Sequence, residues 1–182
     1  MTMSTPATAT HGLSAPAGEL VFDYLAEQVD TLREHEPGVR TDAPDAVHKS
    51  RVAARRLRSA LRAFGPLLDA DGVGPLVGEL RWYGEIAGAP RDAEVLKEHL
   101  LAALDELDAS AVQPPVARRL VADLDAHHAD AHARLVESLD GHRYARLVRA
   151  LDALVDERPV TVSGRRPARA VVPGLLDAAS DR

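Results

Sequence analysis

Residues 47–62 read VHKSRVAARRLRSALR. Seven of these sixteen positions carry His, Lys or Arg, and none carries Asp or Glu. On a wheel of about 100° per residue, His48, Arg51, Arg55, Arg58 and Arg62 fall within an arc of roughly 80°. Leu57, Leu61, Phe64 and Leu68 fall within a similarly narrow arc on the opposite side. Lys49 and Arg56 flank the cationic row. This is the signature of an amphipathic helix that docks through its leucines. Its cations then face water, a partner, or acids on another helix.

The same period runs outward in both directions, and no segment alternates like a strand. A first helix is expected over about 18–35, with Leu20, Tyr24, Leu25, Val29 and Leu32 on one side, stopping at Pro37-Gly38. The basic helix spans about 45–68, with Asp42 or Asp45 available as its N-cap. After the breaker DADGVGP comes a third helix, about 75–87. The Gly88-Ala89-Pro90 interruption opens a fourth, which reaches about 108 and aligns Leu96, Leu100, Leu104 and Leu107. Past Gln113-Pro114-Pro115, a fifth helix presents Leu120, Leu124, Leu135 and Leu139 as far as Gly141, and a sixth covers about 143–157. Residues 159–182 read as a linker into the start of a missing second half, and residues 1–17, rich in Ser, Thr, Ala and Pro, as disordered. The expected fold is all-α, an antiparallel four-helix-bundle-like domain over 18–158 with short loops.

Composition agrees. At 182 residues the chain suits one domain, and 46% hydrophobic residues with only 3% aromatics favour a core of Ala, Leu and Val in packed helices. The absence of cysteine excludes disulfide scaffolds and thiolate chemistry. Neither a signal peptide nor a membrane-length apolar run is visible, so a cytoplasmic protein is expected.

The net charge is −6, yet the basic helix carries no acid of its own. Like charges at i,i+3 and i,i+4 oppose each other by roughly 0.2–0.5 kcal/mol per pair. From His48 to Arg62 the helix rises about 21 Å, so the row is a track with steps of about 5–6 Å. Such a track suits a linear anion with closely repeated phosphates, and His48 in the first turn adds hydrogen-bond donors there. The alternative is a structural salt network in which Glu79, Glu85, Asp92 or Glu94 neutralises the arginines. The helix alone leaves both readings open.

Two separated segments, AVHKSRVAARRLRSALRAF (46–64) and ELRWYGEIAGAPRDAEVL (79–96), resemble the start of a CHAD domain, the conserved histidine α-helical domain. The first follows the pattern V-H-x-x-R-V-x-x-R-R-L-R-x-x-L-x-x-F from Val47 to Phe64. The second follows L-G-x-x-R-D-x-D-V-L at Arg91-Asp92 and Val95-Leu96, with Ala87-Gly88 for Leu-Gly and Glu94 for Asp. The resemblance covers about 18–158 and implies a helical domain whose two similar four-helix halves surround a basic channel that binds inorganic polyphosphate. Some such domains follow a CYTH triphosphatase domain, and others are associated with polyphosphate granules.

By motif position the resemblance makes His48, Lys49, Arg51, Arg55, Arg56 and Arg58 phosphate contacts. Arg62 extends the row by geometry, and Arg91 adds a contact at the channel end. A second H-x-x-R helix is not present, so the expectation is half of a CHAD domain, truncated or naturally so. Either a homodimer or a C-terminal half would complete the channel.

Asp92 reads as a first-turn acid that favours the helix dipole and orients a nearby arginine. Arg81 is a weaker phosphate candidate. His128 and His132 stand at i,i+4, a metal-chelating spacing, but without a third ligand a partly buried histidine is the plainer reading. His142, Arg143, Tyr144 and Arg146 read as a solvated face. No catalytic residue, metal or cofactor is expected, because there is no phosphate loop, nucleophile elbow or acidic metal cluster. Net acidity and the scarcity of aromatics count against the alternative of a nucleic-acid-binding module. An accessory domain of a triphosphatase is a further alternative.

Overall fold

The computed structural model describes residues 12–69, 73–106 and 114–180. They form α1 (Ala17–Arg40), α2 (Ala46–Ala63), a 3₁₀ turn (Gly65–Leu67), α3 (Val73–Ile86), α4 (Gly88–Glu106), α5 (Pro114–Asp140), α6 (His142–Glu157) and α7 (Ala168–Ser180). The expected all-α fold is present, and no helix among the described residues is long and apolar enough to cross a membrane. The N-terminal eleven residues, the break at 70–72, Leu107 and Gln113 lie outside the described residues.

Phe22, Leu25, Val29 and Leu32 of α1 pack on Ala53, Ala54, Leu57, Ala60 and Leu61 of α2. Alanines at these α2 positions let the two helices approach closely. Leu76 and Leu80 of α3, Leu135 and Leu139 of α5, and Leu147, Leu151 and Leu154 of α6 complete one core. A polar thread crosses it. Ser50 Oγ and the Tyr83 hydroxyl are hydrogen-bonded, Tyr83 stacks on Tyr144 at 5.9 Å, and the Tyr144 hydroxyl donates to Glu36 at 3.0 Å. Burial pushes both phenols above their ordinary range, so they stay neutral.

Several boundaries differ from expectation. α1 does not stop at Pro37-Gly38 but runs to Arg40. The carbonyls of Pro37 and Gly38 find donors in the N–H groups of Thr41 and Ala43, and Arg40 bonds Glu36 and Asp140. Gly38 serves packing, since a Cβ there would lie 2.9 Å from the Cβ of Ala46. Neither Asp42 nor Asp45 acts as the expected side-chain cap of α2. Asp45 holds the cap position in a left-handed conformation without a side-chain bond, and the Asp42 carboxylate is taken by His128. α4 begins at Gly88, which puts Asp92 in its second turn and outside the helix-dipole role expected for it.

The segment expected as a linker is stitched into the fold. Residues Pro167 and Val160 form bridges with Pro16 and Leu68. The N–H groups of Ala17 and Gly18, which lack intrahelical partners, donate to the carbonyls of Arg166 and Gly164. A Cβ on Gly18 would meet Val160 at 2.5 Å, and one on Gly164 would meet the Leu67 carbonyl at 2.3 Å, so glycine is required for this approach. α7 follows, its Val171, Val172 and Leu175 packed against the core.

Candidate functional site

With Val47, Ser50, Ala53, Ala54, Leu57, Ala60 and Leu61 buried, α2 turns its cationic face outward. That face forms one wall of a groove of ≈ 500 Å³. His48, Arg51, Arg55 and Arg58 come from α2, Arg81 and Glu85 from α3, and Arg91 and Asp92 from α4. Leu80, Gly84 and Val95 supply an apolar floor and an opening, as a Cβ on Gly84 would touch nothing within 4 Å. Five of the eight expected contact residues thus line one groove. Lys49, Arg56 and Arg62 do not line it, and Arg56 with Arg55 borders an apolar hollow between α1, α2 and α7.

The four acids that a structural salt network would need are mostly engaged elsewhere. Glu79 accepts from Arg143 at 2.7 and 3.2 Å, Glu85 from Arg81 at 2.9 Å, and Glu94 pairs with Arg91 at 2.7 Å. The Arg143 guanidinium, itself 4.3 Å over the Trp82 ring, holds the Glu79 carboxyl below the usual carboxylate range. Only Asp92 reaches α2, meeting Arg51 at 3.5 Å from a side chain 81% exposed. The side chains of His48, Lys49, Arg55, Arg56, Arg58 and Arg62 make no hydrogen bond or ion pair with another described residue. Three consecutive members of the row, Arg55, Arg58 and Arg62, therefore have their donors available.

The two walls differ in state. The α2 wall is largely unneutralised, whereas Arg81 and Arg91 opposite already hold carboxylates, Arg91 with Glu98 at 3.7 Å as well. Gly88 completes the join. A Cβ there would lie 3.3 Å from Arg51 Nη1, so glycine lets the guanidinium rest against the start of α4. Gly88 and Val95 were visible in the sequence as a helix break and as motif positions, without their roles against Arg51 and in the groove floor, and nothing signalled Leu80.

An all-helical domain with such an arginine groove, opened by a V-H-x-x-R helix, is of the CHAD class. The chain belongs to that family: the CHAD domain model matches residues 23–182. It is 35% identical over 179 residues to the proteins Rv2226 and MT2285 of two Mycobacterium tuberculosis strains, H37Rv and CDC 1551, covering 98% of this chain. The chain spans 34% of the length of these curated relatives. It is also similar in structure to PptA from Streptomyces chartreusis, with a TM-score of 0.72 and 25% identity over 92% of this chain and 58% of that one.

Proposed function

We propose that the groove between α2, α3 and α4 binds inorganic polyphosphate without transforming it, as family membership leads one to expect. The observation that supports this most is the unneutralised row of α2, whose arginines have no carboxylate partner among the described residues beyond the Arg51–Asp92 contact. Guanidinium groups donate to phosphate oxygens in pairs, and their regular spacing matches a ligand of evenly repeated charge better than one read by its bases. The groove is open on one side, and further chain or a second copy would supply the opposing wall. A cytoplasmic location, including polyphosphate granules, belongs to the same reading.

Binding of long-chain polyphosphate, duplex DNA and single-stranded DNA of equal charge, compared in one salt series, tests the proposal. Polyphosphate should bind tightest and weaken steeply with salt. The double variant Arg55→Glu, Arg58→Glu should lose polyphosphate binding and keep its helical circular dichroism, because neither side chain has a hydrogen-bond or ion-pair partner among the described residues. Equal or tighter binding to DNA would favour a nucleic-acid module, and orthophosphate release with added divalent metal would make the protein an enzyme.

A further inference from the structure

His128 and His132 stand one turn apart on α5, with stacked rings 6.4 Å apart, and neither lines the basic groove. His132 Nε2 lies 2.7 Å from the Val39 carbonyl. A carbonyl only accepts, so Nε2–H serves a carbonyl at the C-terminal end of α1 that lacks an intrahelical donor. His128 is in a different position. Its Nδ1 lies 3.1 Å from the Pro90 carbonyl, and its Nε2 lies 2.8 Å from Asp42 Oδ2. Both neighbours are acceptors, and neutral imidazole has a single N–H. One nitrogen would then face an acceptor lone pair to lone pair. The imidazolium, with N–H on both nitrogens, satisfies both contacts.

The place of this ring in the fold gives its charge a consequence. Among the described residues, α4 buries only Gly88, Pro90 and Ala93, and α5 only Ala131, Leu135 and Leu139. The α4–α5 hairpin is therefore held at its base, while Leu96, Leu101, Val116 and Leu120 farther out are exposed. His128 sits at that base and ties three segments together: α5, the loop between α1 and α2 through Asp42, and the first turn of α4 through Pro90. The same cleft is lined by Asp45 at the start of α2, by Glu94 and Lys97 of α4, and by Asp125 of α5. Lys97 is committed to Asp125 and Glu94 to Arg91. His132 completes the set of titratable neighbours.

We propose that His128 is a protonation-dependent clip, closing the α4–α5 hairpin onto the α1–α2 loop while it carries two protons and loosening it when it loses one. Burial pulls the basicity of the ring down. The hydrogen bond and charge of Asp42, the Pro90 carbonyl and Glu94 pull it up further, to a net value above the ordinary 6.5. A raised folded pKa gives stabilisation that is fully present below about 6.5 and is lost as pH rises through the folded value. Pro90 immediately precedes Arg91 and Asp92, so opening the clip also loosens the α4 wall of the groove. That last consequence rests on the polyphosphate reading; the clip does not.

The test uses the chain without polyphosphate, so its outcome is independent of that reading. Nitrogen-15 spectra of the histidine side chains, recorded from mildly acid to alkaline pH, should show both His128 nitrogens protonated at the acid end and a titration above that of free histidine. Asp42→Asn should lower that midpoint. In hydrogen exchange, the opening constant of amides in α4 and α5 should rise by up to about tenfold per pH unit through this window. Amides of α1 and α6 should not follow. His128→Gln should abolish the pH dependence of hairpin opening, and Asp42→Asn provides the same comparison if the Gln variant does not fold. A His128 that titrates at or below the ordinary value, or a hairpin opening equally with pH in wild type and His128→Gln, would overturn the clip.

Discussion

Asp92→Asn separates two roles for the one carboxylate that reaches the cationic row. Asp92 Oδ1 stands 3.5 Å from Arg51 Nη1, and its side chain is 81% exposed while that of Arg51 is 33% exposed. If Arg51 donates to a bound phosphate, the phosphate sits on another edge of the same guanidinium, about 6 Å from the carboxylate by ordinary hydrogen-bond lengths. At that separation, and with the water-like dielectric that such exposure warrants, the two anions repel by about 0.7 kcal/mol. Removing the charge should then tighten polyphosphate binding roughly threefold at low salt. The gain should fade once the Debye length, about 10 Å at 0.1 M salt, shrinks toward the separation of the charges. An exposed pair contributes about 0–1 kcal/mol to folding, so the urea midpoint should move little. Titration calorimetry with one long-chain polyphosphate preparation at two ionic strengths provides the comparison. Weaker binding by Asp92→Asn at both would show that the carboxylate orients Arg51 and does not compete for it. Unchanged binding at low salt would remove Arg51 from the contact set.

Tyr83→Phe leaves the fully buried Ser50 hydroxyl without its partner and should cost about 1–3 kcal/mol in urea denaturation, toward the lower figure if Ser50 turns to a carbonyl one turn back on α2. Glu79→Gln should flatten the acid limb of the stability profile. The wild-type carboxyl is held below its ordinary 4.5 by Arg143, so its contribution is present above that value and is lost as pH falls through the lower folded pKa. A wild-type denaturation midpoint that falls with acid no faster than that of the Gln variant would refute the Glu79–Arg143 attribution.

The helical architecture was legible because apolar spacing reports burial directly. Leu25, Val29 and Leu32 of α1 and Leu57 and Leu61 of α2 are where period alone places them. Period was less informative where helices lean only on each other. Leu96 and Leu120 continue the apolar lines of α4 and α5, yet both are exposed, because no third layer among the described residues covers the outer hairpin. Local rules also gave way to tertiary partners. Pro37-Gly38 reads as a stop, but α1 runs on to Arg40, the carbonyls of Pro37 and Gly38 accept from the N–H groups of Thr41 and Ala43, and Gly38 admits Ala46. Residues 159–182 read as a linker because the bonds that hold their first part are mostly backbone to backbone and reach elements far away in sequence, with Thr161 Oγ1 adding one to the Pro66 carbonyl. No side-chain pattern announces such bonds.

The site shows why an acidic chain can carry an unneutralised basic helix. Its acids are spent on arginines elsewhere: Asp152 and Asp30 on Arg33, Glu36 and Asp140 on Arg40, Glu79 on Arg143, and Glu85 on Arg81. These pairs join α1 to α6, α1 to α5 and α3 to α6, or neutralise neighbours within one helix, and none of them uses a cation of α2. Mutual repulsion along α2 is therefore not relieved within the described chain, although a single Glu on that face would relieve part of it. A fold that neutralises Arg33, Arg40 and Arg143 but leaves Arg55, Arg58 and Arg62 unmatched among the described residues keeps a run of uncompensated positive charge along one face of α2. An anion approaching that side meets attraction from the row and only the partly screened carboxylates of Asp92 and Glu85 against it. On the proposed function, segregation of charge, more than its total, is what would let the groove hold an anion.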